Sequence, residues 1–181
     1  MLIQETAIAG CFTLTAAKHH DARGHFSKWF SEDAFAKAGL CSEWREVYSS
    51  VSHRGVIRGF HFQRPPADHV KLVYCLAGRA MDVVLDLRNG SPSFGRHIKI
   101  SLSAEEPVSV YVPSGCAHGF YAELDHTLML YQVSSGHTPS LDSGIRWDSA
   151  GIEWPTDTPI VSTRDRALPE FCTFDSPFSW S

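Results

Sequence analysis

Hydrophobic and polar residues alternate over several short stretches of the chain, a pattern that predicts β-strands. Residues 108–112 read Val-Ser-Val-Tyr-Val and end at Pro113, as expected of a half-buried strand. The runs 71–77, 81–87 and 127–133 are mostly apolar and predict further strands. Many short strands separated by turn residues indicate a mainly β domain, either a sandwich or a barrel.

A single segment carries the signals of a helix. Ser31 is a suitable N-cap, two acidic residues follow it, and Gly39 provides a stop. Phe35 and Ala36 would then face the interior of the domain.

The composition is that of an ordinary globular chain. With 181 residues, 43% of them hydrophobic, the chain is expected to form one domain over residues 1–181. A net charge of −4 gives no electrostatic reason to expect a nucleic-acid partner, and no stretch of 18 apolar residues predicts a membrane span. The N-terminus lacks signal-peptide features, and five widely spaced cysteines predict reduced thiols in a cytoplasmic protein. The aromatic C-terminal segment 171–180 is expected to pack back on the domain or on a second subunit.

Two segments have the spacing of the motifs by which cupin barrels hold a metal. The first runs from His61 through Lys71 to Gly78, and the second ends at His118. Gln63 stands where the second metal-binding histidine would lie, and Lys71 stands where a glutamate would. A facial triad of ligands cannot form from these positions. We therefore expect a cupin-type jelly-roll β-barrel with a few short helices and with neither a metal nor another cofactor.

His61 and two cations are expected to line one pocket. Strict alternation does not place Arg58, His61 and Gln63 on one face of a strand, so we expect a bulge at Gly59. A turn after Gln63 would bring Lys71 back antiparallel beside His61. One imidazole next to two cations is costly unless an anion or a developing oxyanion binds there.

Three further side chains are candidates for this pocket. His118 is a candidate hydrogen-bond donor to a substrate oxygen. Tyr131 lies in an apolar strand, where it is either a core tyrosine or an acid that faces His61. Asp165 is an ordinary surface charge unless the C-terminal segment folds back and orients the imidazole of His61.

The chain resembles the dTDP-4-dehydrorhamnose 3,5-epimerases, cupin-fold enzymes of deoxysugar biosynthesis, over nearly its whole length. The resemblance is carried by a series of motifs in the same order, at residues 21–26, 55–63, 71–78, 82–92, 113–120, 131, 144–147, 154–155 and 162–165. It implies an epimerase that inverts C3, C5 or both of a 4-keto-6-deoxy sugar linked to a nucleoside diphosphate.

The resemblance also implies a role for each reactive side chain. His61 would be the general base, paired with Asp165, and Tyr131 would be the acid on the opposite face of the sugar. Lys71, with His118, would stabilise the enolate oxygen without a metal. General acid–base chemistry next to a ketone needs such stabilisation. The proton on the neighbouring carbon is acidic only if the negative charge of the resulting enolate is stabilised.

The diphosphate would be held by arginines, whose forked guanidinium groups suit its charges. By resemblance these are Arg23 and Arg58, with Gln63 and Arg164 as further candidate substrate contacts. The family typically forms homodimers in which N-terminal residues reach the neighbouring site, so Arg23 and Phe26 are expected to act in trans.

The nucleotide end of the site departs from the family pattern. Lys28 replaces a glutamate, Glu46 a glutamine and Tyr48 an asparagine, while His137 replaces the tyrosine that stacks on thymine and Asp142 a nearby glutamate. Together these changes suggest that the nucleotide is not dTDP or that it is recognised differently, with CDP and GDP as candidates. Aromatic rings at two of these positions remain suited to stacking on a base.

Three alternative functions remain open on the sequence. A 3,4-ketoisomerase of the same fold would need base chemistry on one face only, so Tyr131 would be dispensable. A metal-dependent cupin such as a dioxygenase is disfavoured by Gln63 and Lys71. A non-catalytic sugar-binding cupin would not need the reactive side chains to be retained together.

Overall fold

The computed structural model describes residues 1–180 of the chain. Within that range the strands are β1 (Leu2–Glu5), β2 (Phe12–Thr15), β3 (Lys18–Asp21), β4 (Gly24–Ser27), β5 (Glu46–Ser52), β6 (Ile57–Gln63), β7 (Lys71–Ala77), β8 (Arg79–Asp86), β9 (His97–Ser103), β10 (Val108–Val112), β11 (Cys116–Ala122), β12 (Thr127–Val133) and β13 (Asp142–Gly144). The helices are α1 (Glu32–Lys37), α2 (Thr163–Arg166) and a 3₁₀ helix at Phe171–Thr173.

Most of these strands form two antiparallel sheets. The first sheet has the order β1-β2-β10-β7-β12-β5, and the second has the order β13-β6-β11-β8-β9. A hydrophobic cluster fills the space between them, with Val73 and Met129 from the first sheet and Val84 and Phe120 from the second. The sheets therefore pack face to face, as in a jelly roll. β3 and β4 form a separate hairpin.

The predicted mainly β class is confirmed, and the strands predicted at 71–77, 108–112 and 127–133 have the expected bounds. The strand predicted at 81–87 is β8, which starts two residues earlier and ends one residue earlier. The two sheets are not hydrogen-bonded to each other, so the expected barrel is not closed. No helix within residues 1–180 is long and apolar enough to cross a membrane.

The C-terminal segment covers the outer face of the second sheet. Val83 and Leu85 of β8 point away from the space between the sheets and form a second cluster with Phe178, which is buried. The backbone of Asn89 holds this segment in place, since it donates to the carbonyl of Phe178 and accepts from the amide of Trp180, both at 2.9 Å. β8 is thus buried on both faces, which explains why its sequence is mostly apolar.

Helix α1 covers the outer face of the first sheet. Phe35 is buried and packs with Leu72 and Tyr74 of β7. Ser31 occupies the N-cap but makes no side-chain capping bond, and Gly39 ends the segment with a φ of +68°. The inward orientation predicted for Ala36 is wrong, because the residue next to a buried position on a helix is turned about 100° away and here lies exposed.

A bulge in β6 confirms the irregularity predicted at Gly59. His61 pairs with His118 of β11, whereas Arg58 pairs with Phe120, so β6 has one residue more than β11 between these pairs. Gly59 has a φ of +133°, and a Cβ atom there would lie 2.6 Å from the Cα of Gly119. Only glycine fits this close approach, and the bulge turns Arg58 and His61 toward the same side of the sheet.

Candidate active site

Two adjoining cavities lie at one end of the space between the sheets. The larger has a volume of about 420 Å³ and the smaller about 190 Å³, and both are lined by Tyr48, His61 and Lys71. The smaller cavity is completed by Ser50, Arg58, His118, Phe120 and Tyr131. The larger cavity is completed by Glu46, Phe62, Gln63, His69, Val133, Ser135, His137, Asp142 and Arg164.

His61 is held by Asp165, as the resemblance implied. The Nε2 atom of His61 lies 2.7 Å from Oδ1 of Asp165, and the Gly59 amide donates to Oδ2 at 3.2 Å. Ser162 begins α2 and its Oγ accepts from the Asp165 amide, which aims the carboxylate at β6. Because an ionised carboxylate only accepts, Nε2 carries the proton and Nδ1 keeps the lone pair that a base needs.

The carboxyl group of Asp165 is buried yet ionised. Burial alone would raise its pKa, but the hydrogen bonds from His61 and from the Gly59 amide hold the pKa below its usual value. The pair is therefore a carboxylate that orients an imidazole, and the imidazole itself is half-buried and open to the cavities.

Lys71 reaches His61 from the opposite sheet. The predicted antiparallel pairing beside His61 is wrong, because β6 pairs with β13 and β11 whereas β7 pairs with β10 and β12. The buried side chain of Lys71 instead crosses between the sheets, and its Nζ donates to the His61 carbonyl at 2.9 Å. Burial lowers the pKa of Lys71 to about 8, outweighing the attraction of Asp142 and Asp82. The ammonium group is thus present at neutral pH and can stabilise a negative charge that develops beside it.

His118 lies opposite His61 and belongs to a second histidine–aspartate pair. Its Nε2 atom is 2.6 Å from Oδ2 of Asp82 on β8, and both side chains are buried. The expected role of His118 as a donor to a substrate oxygen therefore falls to Nδ1. That atom can donate only when the ring is an imidazolium that Asp82 balances.

Tyr131 faces the smaller cavity from β12, and it is buried with 7% of its surface exposed. Its phenol oxygen lies 3.3 Å from Oγ of Ser50, and its ring stacks on that of Tyr48 with centroids 5.0 Å apart. The edge of the His118 ring completes its surroundings at 5.9 Å. Burial raises the pKa of Tyr131 well above its usual value, so the phenol holds its proton until an acceptor is presented.

Arg58 points into the smaller cavity and is anchored by β5. Its Nε donates to Oγ of Ser52 at 3.0 Å, and its Nη2 donates to the Val51 carbonyl at 3.2 Å. These bonds leave the remaining N–H groups of the guanidinium for an anion, in keeping with the predicted contact to a diphosphate.

Gln63 lies in the wall of the larger cavity, where its amide group is used internally. Its Nε2 donates to the carbonyls of Ala67 and Gly136, and its Oε1 accepts from the Thr138 amide. The amide group therefore braces the loops around the cavity, and the substrate contact predicted for Gln63 stays a prediction. Within residues 1–180, no three His, Cys, Asp or Glu side chains converge on a possible metal site.

The predicted nucleotide residues Glu46, Tyr48, His137 and Asp142 all line the larger cavity. Oε1 of Glu46 accepts from the His137 amide at 3.0 Å, and Asp142 pairs with Arg164 at 2.8 Å. The structure thus groups four of the five departures from the family pattern on one side of the site. One face of the Tyr48 ring is covered by Tyr131 rather than free for a base.

Arg23, Phe26 and Lys28 do not reach either cavity of their own subunit. Arg23 lies at the turn of the β3–β4 hairpin, where it pairs with Asp21 at 2.5 Å and keeps 90% of its side chain exposed. Phe26 is 62% exposed, and Lys28 follows β4 on the surface. The structure therefore does not bring these three predicted substrate contacts to the site of their own chain.

Among the residues of the site that the sequence-based prediction missed, three bear polar side chains next to the reactive groups: Asp82, Ser50 and His69. Asp82 had a usable signal, because a carboxylate in an otherwise apolar strand needs a buried partner. Ser50 and His69 had none, since a serine or a histidine next to polar neighbours is usually a surface residue. Burial lowers the pKa of His69 to about 4, aided by the charge of Lys71, so its ring is neutral.

The chain was compared with known proteins. The family profile described as dTDP-4-dehydrorhamnose 3,5-epimerase matches residues 5–173. The dTDP-4-dehydrorhamnose 3,5-epimerase of Mycolicibacterium smegmatis is 37% identical over 172 residues, which cover 93% of this chain and 85% of that protein.

Solved structures give the same result. The 4-keto-6-deoxy sugar epimerase from the novobiocin biosynthetic gene cluster of Streptomyces spheroides superposes with a TM-score of 0.92 at 35% identity, covering 95% of this chain and 88% of that one. A 3′-monoepimerase from Streptomyces bikiniensis, solved in complex with dTDP-quinovose, superposes with a TM-score of 0.88 at 34% identity, covering 93% and 87%.

These likenesses extend over almost the whole chain and confirm the family resemblance and the cupin-type fold class. The side chains that the motifs singled out for acid–base chemistry, His61, Asp165, Lys71 and Tyr131, meet around one cavity. The chain belongs to the dTDP-4-dehydrorhamnose 3,5-epimerase family and is a carbohydrate epimerase of the isomerase class.

Proposed function

We propose that the protein epimerises C3, C5 or both of a 4-keto-6-deoxy sugar linked to a nucleoside diphosphate. The observation that carries this proposal is the convergence of a base, a cation and an acid on the smaller cavity: His61, Lys71 and Tyr131. The relatives support the substrate class, because their names describe epimerases of 4-keto-6-deoxy sugars.

In the first step, Nδ1 of His61 removes the proton from the carbon next to the C4 ketone. The electron pair of the broken C–H bond moves into the ketone, and negative charge develops on the C4 oxygen. The ammonium group of Lys71 stabilises that charge, and His118 is proposed as a second hydrogen-bond donor to the same oxygen. Each of these interactions grows as the charge forms, so it lowers the barrier rather than the energy of the bound substrate.

In the second step, the phenol of Tyr131 donates its proton to the same carbon from the opposite face. The enolate collapses to the ketone and the configuration at that carbon is inverted. His61 on β6 and Tyr131 on β12 belong to opposite sheets, which suits proton transfer on two faces of one sugar ring. A ketoisomerase would not need this second group.

Solvent-deuterium incorporation into a 4-keto-6-deoxy sugar nucleotide tests the base. His61→Asn should lower incorporation by roughly 10²- to 10⁴-fold, because a positioned base contributes about that factor. His53→Asn, at a histidine with 78% of its side chain exposed, is the matched control and should leave incorporation unchanged. Unchanged incorporation in His61→Asn would reject the assignment.

The nucleotide is proposed to be CDP or GDP rather than dTDP. The carboxylate of Glu46 lies in the larger cavity and is a charged acceptor, which suits the amino groups of cytosine and guanine better than thymine. Calorimetric titration with dTDP, CDP, GDP and UDP tests this proposal. Clearly tightest binding of dTDP would contradict it.

A homodimer with shared sites is part of the proposal. Val47 and Val51 are 57% and 58% exposed on the outer face of β5, which is an edge strand, and Phe26 is exposed on the hairpin. An exposed apolar edge strand favours pairing with a second chain. Arg23 and Phe26 would then enter the site of the partner.

Mixed dimers of Arg23→Ala and His61→Asn test the shared site. If Arg23 acts in trans, one site of the mixed dimer carries both defects and the other carries none, so activity reappears on mixing. If Arg23 acts in its own subunit, every site carries one defect and mixing restores nothing.

A cytoplasmic location is the last element of the proposal. All five cysteines have free thiols in the structure, and burial raises the pKa of Cys11 to about 12 and that of Cys75 to about 11. Unpaired thiols suit a reducing compartment. Fractionation of cells that express the tagged protein would test this location.

A further inference from the structure

The edge strand β5 carries two side chains against the phenol of Tyr131. β5 and β12 are antiparallel, with Tyr48 directly opposite Tyr131 and Ser50 opposite Met129. Since side chains two apart on a strand share a face, Tyr48 and Ser50 both point toward the smaller cavity, together with Ser52. Ser52 holds Arg58 from the same face. This face of β5 therefore supports the reactive groups of the cavity.

Stacking constrains the ring of Tyr131. The Tyr48 ring lies on it with an interplanar angle of 21°, and the His118 ring meets it edge-on at 73°. With neighbours on two sides and only 7% of its surface exposed, Tyr131 has little freedom to rotate. The direction of its phenol oxygen is thereby set by neighbouring rings.

The hydroxyl of Ser50 decides where the phenolic proton points. The two oxygens are 3.3 Å apart, a long hydrogen bond of the kind that shortens when charge develops on one partner. If Tyr131 donated to Ser50, its proton would be turned away from the substrate. If Ser50 donates to Tyr131, the phenolic O–H is free to face the sugar.

We propose that Tyr48 and Ser50 are positioning residues for the proton donor Tyr131: Tyr48 fixes its ring by stacking, and Ser50 donates a hydrogen bond to its oxygen. The inference rests on the proposed function, in which Tyr131 is the acid. It adds the two residues that hold Tyr131 in position to donate its proton. When the O–H bond of Tyr131 breaks and the C–H bond forms, the hydrogen bond from Ser50 remains and stabilises the phenolate. Tyr131 regains its proton from solvent water after the product leaves.

Phenolate stabilisation is needed in this environment. Burial raises the pKa of Tyr131, which opposes proton release, and the hydrogen bond from Ser50 acts in the opposite direction. A hydrogen bond to a charged group is worth a factor of roughly 10 to 100 in rate when it is made only after charge has formed.

The test separates proton removal from inversion. In D₂O, deuterium that returns to the starting sugar without inversion reports removal by His61, whereas inverted product also requires Tyr131. Ser50→Ala should lower inversion by roughly 10- to 100-fold while exchange without inversion stays within about twofold of wild type. Tyr48→Ala should also lower the ratio of inversion to exchange. Tyr48→Phe keeps a ring for stacking and should restore most of that ratio.

The matched control is Ser101→Ala, which removes an exposed hydroxyl from β9 of the other sheet and should leave both rates unchanged. An inversion-to-exchange ratio that stays at the wild-type value in both Ser50→Ala and Tyr48→Ala would overturn the proposal. Misfolding would lower both rates together, so it does not mimic the expected change. Full inversion in Tyr131→Phe would instead reject Tyr131 as the acid, which is a failure of the proposed function itself.

Discussion

The two cavities share Tyr48, His61 and Lys71, but they are built differently. In the smaller cavity, each imidazole and the phenol of Tyr131 hydrogen-bonds to a side chain that is buried or half-buried, namely Asp165, Asp82 or Ser50. In the larger cavity, the carboxylates of Glu46 and Asp142 bond to groups that stay partly exposed at the rim.

The difference teaches where function can vary within this fold. Pairs such as His61 with Asp165 join a sheet to a helix, and neither member can change without leaving a buried charge or a misdirected ring. The rim of the larger cavity is formed by strand ends and loops, where an exchanged side chain meets solvent. The reaction is therefore expected to be retained while the nucleotide changes.

Of the variants that compare the two cavities, a change of Lys71 in their shared wall should have the largest effect. Lys71→Met removes the cation that meets the enolate and should lower kcat by about 10²- to 10³-fold, the usual cost of losing one such donor. Binding of the nucleoside diphosphate alone should change by less than about tenfold. A loss of nucleotide binding as large as the loss of kcat would contradict the assignment of Lys71 to the chemical step.

The pH dependence of the wild-type enzyme follows from the same residue. Because burial lowers the pKa of Lys71 to about 8, the ammonium group loses its proton as the pH rises through that value. The value of kcat/KM, which reports the titration of groups in the free enzyme, should therefore fall above about pH 8. Lys71→Arg, which keeps its charge, should move this fall to higher pH, and an unmoved fall would assign it to another group.

A smaller effect is expected for Asp165→Asn. The amide can no longer hold the His61 ring by a charge-assisted bond, so both exchange and inversion should fall by roughly 10- to 100-fold. Asp175→Asn, at an exposed carboxylate of the C-terminal segment, is the control. Loss of inversion alone, with normal exchange, would contradict the pairing of Asp165 with the base.

The smallest effect should come from the rim of the larger cavity. Glu46→Gln keeps an acceptor for the His137 amide but loses the charge, so binding of CDP or GDP should weaken by about tenfold while kcat stays unchanged. Glu43→Gln, at a side chain that is 82% exposed, is the control. A lower kcat in Glu46→Gln would show that the larger cavity takes part in the chemistry.

Much of the fold could be predicted because alternation is a local property. The strands β7, β10 and β12 and the short helix follow from patterns of a few residues, and the bulge at Gly59 follows from three polar residues that alternation cannot place on one face. Which sheet a strand joins is not local. Lys71 lies ten residues after His61, yet β7 and β6 pair in different sheets.

The site could be predicted in part for a similar reason. Motif spacing pointed to His61 and Lys71, whereas Tyr131 and Asp165 were open candidates that received their roles only from the family resemblance. The surroundings of each group depend on cross-strand register. The stacking of Tyr48 on Tyr131 required the pairing of β5 with β12, which sequence patterns do not specify.

The origin of the hydrogen at the inverted carbon tests the central claim most directly, namely that two different residues handle the proton. A single turnover of the wild-type enzyme in D₂O, followed by ¹H NMR of the product, measures it. The account predicts solvent deuterium at every inverted carbon, because the proton taken by His61 is not the one that Tyr131 returns. Substrate-derived protium retained at an inverted carbon would show that one group carries the proton across, and would contradict the account.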